Sequence, residues 1–235
     1  LLVMAAFYAA PLRASTLQTI PQFLTLHYGP RAGKLAAVAA SIGIFFSIVA
    51  NILSATPLVS ALFHTDSARA VAFVMALTVF YVVFGGVWAT GRVGIWKTVF
   101  IYITLLAVAY TTYTRMGGWH GFCSAFPSYP WFSLVGRGWG IDLGSGLSLL
   151  VGTLTTQTYI QALFSASDES TAKAGAVTAA LVALPSGIPA VMVGLFMRVH
   201  HPNIAPIDAL PLFVLTYLPP WLGGLAIAAL LLAAI

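Results

Sequence analysis

Uncharged polar side chains gather in one short stretch of a chain that is otherwise strongly apolar. The stretch, GTLTTQTYIQ, covers residues 152–161 and contains threonine hydroxyls and glutamine amides but no charged group. These groups donate and accept hydrogen bonds, so they could hold a polar solute. Threonine and glutamine side chains also join packed membrane helices to each other, and the residues alone leave both interpretations open.

Glycines before and within this stretch predict that its helix is interrupted. Gly144, Gly146 and Gly152 lead into a run of threonines, which favours an unwound segment over a continuous helix. An interrupted helix frees backbone N–H and C=O groups that lipid cannot satisfy. Such an interruption persists where it lines a cavity or binds a ligand, as in transporters with a site at mid-membrane.

Signatures of ordinary catalysis are absent from the sequence. It contains no HExxH, GxSxG or Walker motif, and its carboxylates lie at predicted helix ends or in loops. His200 and His201 precede Pro202 in a short predicted loop, which favours a solvated loop over a metal site. Cys123 is the only cysteine and can form neither an intrachain disulfide nor a CxxC cluster. A membrane enzyme is therefore the least favoured function, and no enzymatic activity is expected.

The composition is that of an integral membrane protein. Hydrophobic residues make up 60% of the 235 residues, charged residues make up 6%, and the mean hydropathy is +0.97. The ten Lys and Arg outnumber the five acids but are scattered singly, so no nucleic-acid partner is expected. Membrane lipid is the expected surrounding.

Apolar stretches of about 20 residues predict an all-α protein with several membrane-spanning helices. Period-two alternation, which marks a membrane β-strand, is missing from the sequence. Lys and Arg number six in the first, third and fifth connections and four in the others, which places the odd-numbered connections in the cytoplasm. The long connection over 115–146 then faces outside. The predicted helices, the first of them partial, cover 1–12, 34–63, 70–86, 94–114, 145–165, 173–199 and 208–235.

Some polar residues are expected to have purely structural roles. Ser167 or Asp168 can cap the helix that starts near residue 171, because a short polar side chain accepts a hydrogen bond from the first turn. Arg13 and Arg31 are interpreted as interface anchors rather than ligands.

Four segments resemble the sodium:solute symporter family, in the order that the family has them. TLQTIPQFLTLHYGPRAGKLAAV (16–38) is similar to its T-L-P-x-F-L-x-x-R-Y-G loop and following helix, and VFYVVFGGVWA (79–89) to its Y-x-x-x-G-G helix end. TYIQALFSASDESTAKAGAV (158–177) resembles its Q-R-x-x-A-A-K-D-x-x-x-A-x-x-G segment. LPPWLGGLAIAALLLAAI (218–235) resembles its L-P-x-x-x-x-G-L-x-x-A-x-L-x-A-A-x segment. Together these segments cover nearly the whole chain.

The resemblance implies a leucine-transporter-like fold, in which two inverted repeats of five helices surround a midplane site. Residues 1–235 would form a single transmembrane domain fragment with core helices two to eight. The polar stretch falls on the sixth core helix, one of the two broken ones. On this mapping, the residues expected to bind the solute or form a polar gate are Thr153, Thr156, Gln157 and Gln161. A multi-pass location in the plasma (inner) membrane is expected.

The resemblance also implies a coupling sodium ion, which as a hard cation requires oxygen ligands. The family holds it with carbonyls of the first core helix and with a carbonyl and two hydroxyls of the eighth, in A-A-x-x-[ST]-[ST]. Ala234 matches the carbonyl ligand, whereas the hydroxyl pair and the first core helix are expected beyond the two ends. Both ends are therefore expected to be cuts, and this segment alone is not expected to bind sodium or transport.

Some positions depart from the family pattern. Ala162 replaces the Arg of the Q-R pair, His27 replaces the Arg before Tyr-Gly, and Gly94 and Lys97 replace residues of a T-D-x-x-Q pattern. The last change leaves proton coupling open beside sodium coupling. Sugar and proline carriers have aromatic residues that are missing from 149–155, so a small polar or carboxylate solute is expected instead.

The function that the resemblance implies is sodium-coupled symport of a small solute by alternating access. The alternative is a non-transporting sensor input domain of a membrane signalling protein, because some relatives of this family are fused to signalling kinases. The sequence predicts no oligomeric state.

Overall fold

Helices account for nearly all of the secondary structure in the computed structural model. The structure describes residues 1–234, except for the side chains of Val82, residues 85–93 and Ala234. A π-helical turn, Met4–Tyr8, precedes the first α-helix, and a 3₁₀ turn, Pro206–Asp208, precedes the tenth. In this part of the chain the α-helices are α1 (Ala9–Ala14), α2 (Ile20–Tyr28), α3 (Pro30–Phe63), α4 (Ser67–Arg115), α5 (Gly118–Ala125), α6 (Ser128–Trp131), α7 (Trp139–Thr155), α8 (Gln157–Phe164), α9 (Glu169–His200), α10 (Ala209–Tyr217) and α11 (Pro220–Ala234).

The predicted all-α membrane fold is confirmed over the described residues, which contain no β-strand. Three helices there are long and apolar enough to cross a membrane: Pro30–Phe63, Gly94–Arg115 and Glu169–His200. Large apolar side chains such as Phe45 and Leu184 are exposed on them, as expected for helices surrounded by lipid.

The chain divides into two compact units. Unit 1 comprises Leu1–Ser47 and Pro127–Pro185, and unit 2 comprises Ile48–Phe126 and Ser186–Ile235. Each unit contains its own clusters of buried apolar side chains. The single transmembrane domain expected over residues 1–235 stays a prediction.

The core of unit 1 joins the start of the chain to α8 and to the first turns of α9. Apolar side chains recur at helical spacing on the inner faces of these elements, so each element buries one stripe against the others. The buried members are Met4, Ala5, Ala9, Leu12, Ile160, Leu163, Phe164, Ala172 and Ala176.

Two glycines allow α2 and α3 to meet closely in unit 1. Gly29 ends α2 with a φ of 88°, a conformation that favours glycine, and Pro30 then starts α3. A Cβ on Gly33 would collide with the Thr25 hydroxyl and lie 3.1 Å from the carbonyl oxygen of Pro21. Larger residues at position 33 would therefore push the two helices apart.

The predicted cap of α9 is confirmed at Asp168. Its Oδ1 accepts a hydrogen bond from the Thr171 N–H at 2.8 Å, and its Oδ2 accepts bonds from the hydroxyls of Thr171 and Ser167 at 2.8 Å each. The Thr171 backbone bond, followed by these hydroxyl bonds, lowers the pKa of Asp168 to about 2. The carboxylate is therefore charged at neutral pH and favourably placed at the positive end of α9.

Unit 2 has an aromatic core between α9 and α10. The Phe196 ring meets the Phe213 and Tyr217 rings edge-on, with centroids 5.5 and 5.0 Å away. His200 ends α9 with its ring stacked on Phe196, and His201 Nε2 lies 2.9 Å from the Tyr217 hydroxyl oxygen. His200 is thus the exposed last residue of α9, and His201 lies in the connection that follows, where aromatic rings contact both side chains.

The structure has one helix, α4, where the sequence predicts two helices at 70–86 and 94–114. Asp66 caps its start by accepting the Arg69 N–H at 3.4 Å. No proline lies between residues 67 and 115, so nothing in the covalent backbone removes a hydrogen-bond donor from the helix. The predicted connection falls on residues whose side chains lie outside the description.

The structure has two helices, α10 and α11, where the sequence predicts one over 208–235. Leu218 is extended between them, with φ −93° and ψ 151°. The residue before a proline is pushed out of the helical region, and Pro219 and Pro220 offer no N–H to continue α10. The prediction of one helix over 208–235 is therefore wrong, because this proline pair ends α10 and starts a separate helix.

Candidate functional site

The helix that carries the polar stretch is interrupted at Thr156, as the sequence predicts. Thr156 has φ −72° and ψ 121°, between the last residue of α7 and the first residue of α8. The interruption is a single residue, and the three glycines expected to contribute, Gly144, Gly146 and Gly152, all lie within α7. The last C=O groups of α7 and the first N–H groups of α8 meet at this point. Several of these groups have no intrahelical partner.

A cavity of about 670 Å³ opens beside the interruption, entirely within unit 1. A volume of this size is within the range of sites for small molecules, roughly 300–1,000 Å³. Its walls come from α1 and the turn before it, from α2, from α3, and from the junction of α7 and α8. The lining residues are Tyr8, Leu12, Ile20, Phe23, Leu24, Ala36, Ala39, Ala40, Gly43, Ile44, Ser47, Leu154, Thr155, Thr156, Gln157, Thr158 and Ile160.

The cavity wall on α3 is a stripe that the sequence analysis missed. Its small residues Ala36, Ala39, Ala40, Gly43 and Ser47 lie at helical spacing on one face. Small side chains leave open space, and a Cβ on Gly43 would have no atom within 4 Å. The recurrence of small residues every three or four positions is the signal that could have identified this wall.

Two aromatic rings also line the cavity and were not predicted as site residues. Tyr8 ends the π-helical turn, and Phe23 lies in α2. The cavity therefore has aromatic rings on its wall, although residues 149–155 contain no aromatic residue. Sequence spacing could not reveal this, because the two residues reach the site from distant segments.

The threonines at the interruption direct their hydroxyl protons to the backbone of α7. Thr155 Oγ1 donates to the Val151 carbonyl at 2.9 Å, and Thr156 Oγ1 donates to the Gly152 carbonyl at 2.6 Å. A hydroxyl has one proton and two lone pairs. With the protons used in this way, the two oxygens remain as acceptors at the cavity wall.

Gln157 is fixed by a hydrogen bond across unit 1. Its Oε1 accepts the backbone N–H of Ile20, with a nitrogen–oxygen distance of 3.1 Å. Because a backbone N–H can only donate, the atom of Gln157 that faces it must be the oxygen. Within the described residues Nε2 has no protein partner, so its two N–H donors are available at the cavity that Gln157 lines.

The structure brings two of the four predicted solute residues to the cavity. Thr156 and Gln157 line it, whereas Thr153 and Gln161 do not. Thr153 lies in α7 with its hydroxyl donated to the Leu149 carbonyl at 2.8 Å, and Gln161 is exposed on α8. Their assignment to the solute or to a gate stays a prediction.

The predicted sodium ligand, Ala234, is the last residue of α11. Its side chain lies outside the described residues, and its role as a carbonyl ligand stays a prediction.

Arg13 supports the site by holding the end of α8. Its guanidinium donates to the carbonyl oxygen of Phe164 at 3.2 Å and to that of Ser167 at 3.1 Å. The last carbonyls of a helix lack intrahelical partners, and a cation is favoured there. Together with the Gln157–Ile20 bond, this contact ties both ends of α8 to the segment before α3. The role of Arg13 as a membrane-interface anchor stays a prediction.

Replacement of Arg13 by glutamine is expected to loosen α8. Hydrogen bonds from charged donors contribute about 1.5–3 kcal/mol, and the partial exposure of this contact reduces that to roughly 1–2 kcal/mol. Amide hydrogen exchange of peptides that cover residues 157–164 should therefore be faster by about five- to thirtyfold.

The control for this experiment is Arg31→Gln, which removes the same charge from an exposed position in α3. Unchanged exchange in α8 after Arg13→Gln, or equal acceleration in both variants, would contradict the anchoring role.

Comparison with known families gives one match. The model of the sodium:solute symporter family matches residues 1–235, which is the whole chain. No curated protein matches the chain.

Proposed function

The chain belongs to the sodium:solute symporter family, and from this membership we propose that it carries out sodium-coupled symport of a small solute by alternating access. Members of the family are membrane transporters that couple solute movement to sodium, and the family is not one of enzymes. The proposal places the protein in the plasma (inner) membrane as a multi-pass protein, with membrane lipid as its surrounding.

The observation that carries the proposal is the cavity at the interruption between α7 and α8. A transporter must bind its solute with groups that are free of other partners, and a broken helix supplies them. The free amide donors of Gln157 and the acceptor oxygens of Thr155 and Thr156 lie on the wall of one cavity. In the proposal, Thr156 and Gln157 contact the solute, and Thr153 and Gln161 serve as flanking polar residues.

Coupling in this proposal is a shift between conformations. Sodium binds the outward-facing state better than the inward-facing state and thereby stabilises it. The solute then binds at the cavity, and a rearrangement opens the site to the inside. A ligand with equal affinity for two states shifts nothing, so differential affinity is essential. Sodium is a co-transported ion here, and the carbonyl of Ala234 is one of its proposed ligands.

The proposal is tested by uptake into proteoliposomes that contain the full-length protein of which this chain is part. Solute accumulation is measured with an inward sodium gradient, with an inward proton gradient at equal sodium, and with no gradient. Accumulation only with the sodium gradient is expected. Accumulation driven by the proton gradient alone would show that the coupling ion is the proton and not sodium. Accumulation that is the same with and without both gradients would contradict symport.

A further inference from the structure

The polar groups on the cavity wall define a class of solute. Resting on the proposed function, we propose that the transported solute is uncharged overall and carries both hydrogen-bond acceptors and donors, as a polyol or a neutral amide does. Acceptor oxygens at Thr155 and Thr156 are followed directly by the free amide donors of Gln157, beside a wall without charged side chains.

The wall that these residues form carries no charged side chain. None of the residues that line the cavity, all of them described, is Asp, Glu, Lys, Arg or His. A charge that leaves water without a counter-ion costs several kcal/mol, and hydrogen bonds to neutral groups recover only part of this cost. This wall therefore favours a neutral solute over a carboxylate or an ammonium ion. The small polar or carboxylate solute expected from the sequence is thereby narrowed to a neutral polar one.

Gln157 requires an acceptor on the solute. Its oxygen is held by the Ile20 N–H, so the side chain cannot rotate its amide by 180° without placing two donors against each other. The orientation of Nε2 is thereby fixed. A solute hydroxyl or carbonyl oxygen is the complementary group for its two N–H donors.

Thr155 and Thr156 require donors on the solute. Their hydroxyl protons already bond the Val151 and Gly152 carbonyls, so their oxygens offer lone pairs only. A solute O–H or N–H group can donate to them. A carboxylate, which has no proton to donate, would instead face oxygen lone pairs at close range.

The two helix ends at the interruption lead to the same conclusion. The C-terminus of α7 has partial negative charge and the N-terminus of α8 has partial positive charge, each of about half an elementary charge. Because only Thr156 separates them, a solute there meets both signs together. For a single charge, the attraction of one helix end is offset by the repulsion of the other. A neutral solute is stabilised by both ends when its donor faces the C-terminus of α7 and its acceptor faces the N-terminus of α8.

The test compares solutes of different charge in the full-length protein. Sodium-driven uptake is measured for myo-inositol and uridine as neutral solutes, for pyruvate and 2-oxoglutarate as anions, and for choline as a cation. We expect sodium-driven uptake of at least one neutral solute, faster than that of every ion by at least about tenfold, which corresponds to roughly 1.4 kcal/mol. Sodium-driven uptake that favours pyruvate, 2-oxoglutarate or choline would overturn the inference and leave the symport proposal intact. Uptake of no solute under any gradient would contradict both.

A matched pair of variants tests the role of the Gln157 donors. Gln157→Glu keeps the acceptor for Ile20 but replaces the amide donors by a charged oxygen. Gln22→Glu makes the same change at an exposed position outside the cavity, where Gln22 Oε1 also accepts a backbone N–H, that of Gln18 at 3.0 Å. Uptake of the preferred neutral solute should fall about 100-fold in Gln157→Glu, since the variant loses both amide donors and places an unpaired charge on the cavity wall. It should stay within about twofold in Gln22→Glu, as for ordinary surface changes. Equal effects in both variants would overturn the assignment.

Discussion

Replacement of Gly43 by tryptophan is expected to reduce solute uptake by at least about 100-fold, or roughly 3 kcal/mol of lost binding free energy. Gly43 lies on the α3 wall of the cavity, and a Cβ there has no atom within 4 Å. An indole ring can therefore enter the cavity without displacing protein atoms next to the backbone. It would occupy the space that the solute needs. Uptake at subsaturating solute concentration, corrected for the amount of protein in the proteoliposomes, measures the effect.

Gly175→Trp is the control for this prediction. Gly175 is an exposed helical glycine of α9 in the same unit, it also has no atom near a Cβ, and it does not line the cavity. Uptake by this variant should stay within about twofold of the wild type. A Gly43→Trp protein that transports normally would show that the solute does not occupy this cavity.

Replacement of Gln157 by leucine is expected to lower uptake by about 10- to 100-fold. Leucine removes the acceptor of the Ile20 N–H, which leaves a partly buried donor unsatisfied at a cost of about 1–3 kcal/mol. It also removes the two donors that face the cavity. The expected signature is a higher KM together with lower maximal uptake, since both solute binding and the position of α8 are affected.

Gln22→Leu separates these two effects. Gln22 also accepts a backbone N–H, that of Gln18, but lies outside the cavity. The loss of its side-chain amide therefore removes a structural hydrogen bond without changing the cavity wall. Stability of both proteins in detergent is measured by thermal unfolding alongside uptake. If Gln22→Leu loses as much uptake as Gln157→Leu, or if uptake follows thermal stability alone, Gln157 has no special role at the cavity.

The interruption of the helix could be predicted from the sequence because its cause is local. Uncharged hydrogen-bonding side chains after a glycine-rich stretch weaken a membrane helix and compensate the freed backbone groups. The predicted segment was broader than the single residue Thr156, since the glycines of α7 fit within a regular helix. Composition indicates that a helix is weak, whereas packing decides where it breaks.

The cavity could be predicted only in part because it forms between distant segments. Thr156 and Gln157 belong to the polar stretch and were identified, but Tyr8, Phe23 and Gly43 reach the same space from elsewhere in unit 1. Tyr8 and Phe23 have no unusual local pattern, whereas Gly43 belongs to the stripe of small residues on α3. Their relevance depends on tertiary contacts such as the close approach of α2 and α3 at Gly33, which a single sequence does not reveal.

Hydrogen-bond partners also lie beyond sequence reasoning. The sequence predicts that Gln157 binds the solute or forms a polar gate, and an amide can do so as a donor or as an acceptor. The Ile20 contact removes one of these options and fixes the donors as the free end. Likewise, the carbonyl partners of Arg13 at the end of α8 follow only from the fold.

Protection of a cysteine at position 156 is the most direct test that the solute binds at the interruption. In a Thr156→Cys protein, a thiol reagent labels this position and the native Cys123, which is exposed and lies in unit 2 outside the cavity. Mass spectrometry of peptides gives both labelling rates in the same sample, with and without sodium and the solute that is taken up fastest. We predict that solute with sodium slows labelling at position 156 by at least about fivefold, as expected when the site is more than four-fifths occupied, and leaves Cys123 unchanged. Equal labelling rates at position 156 with and without saturating solute would contradict the account.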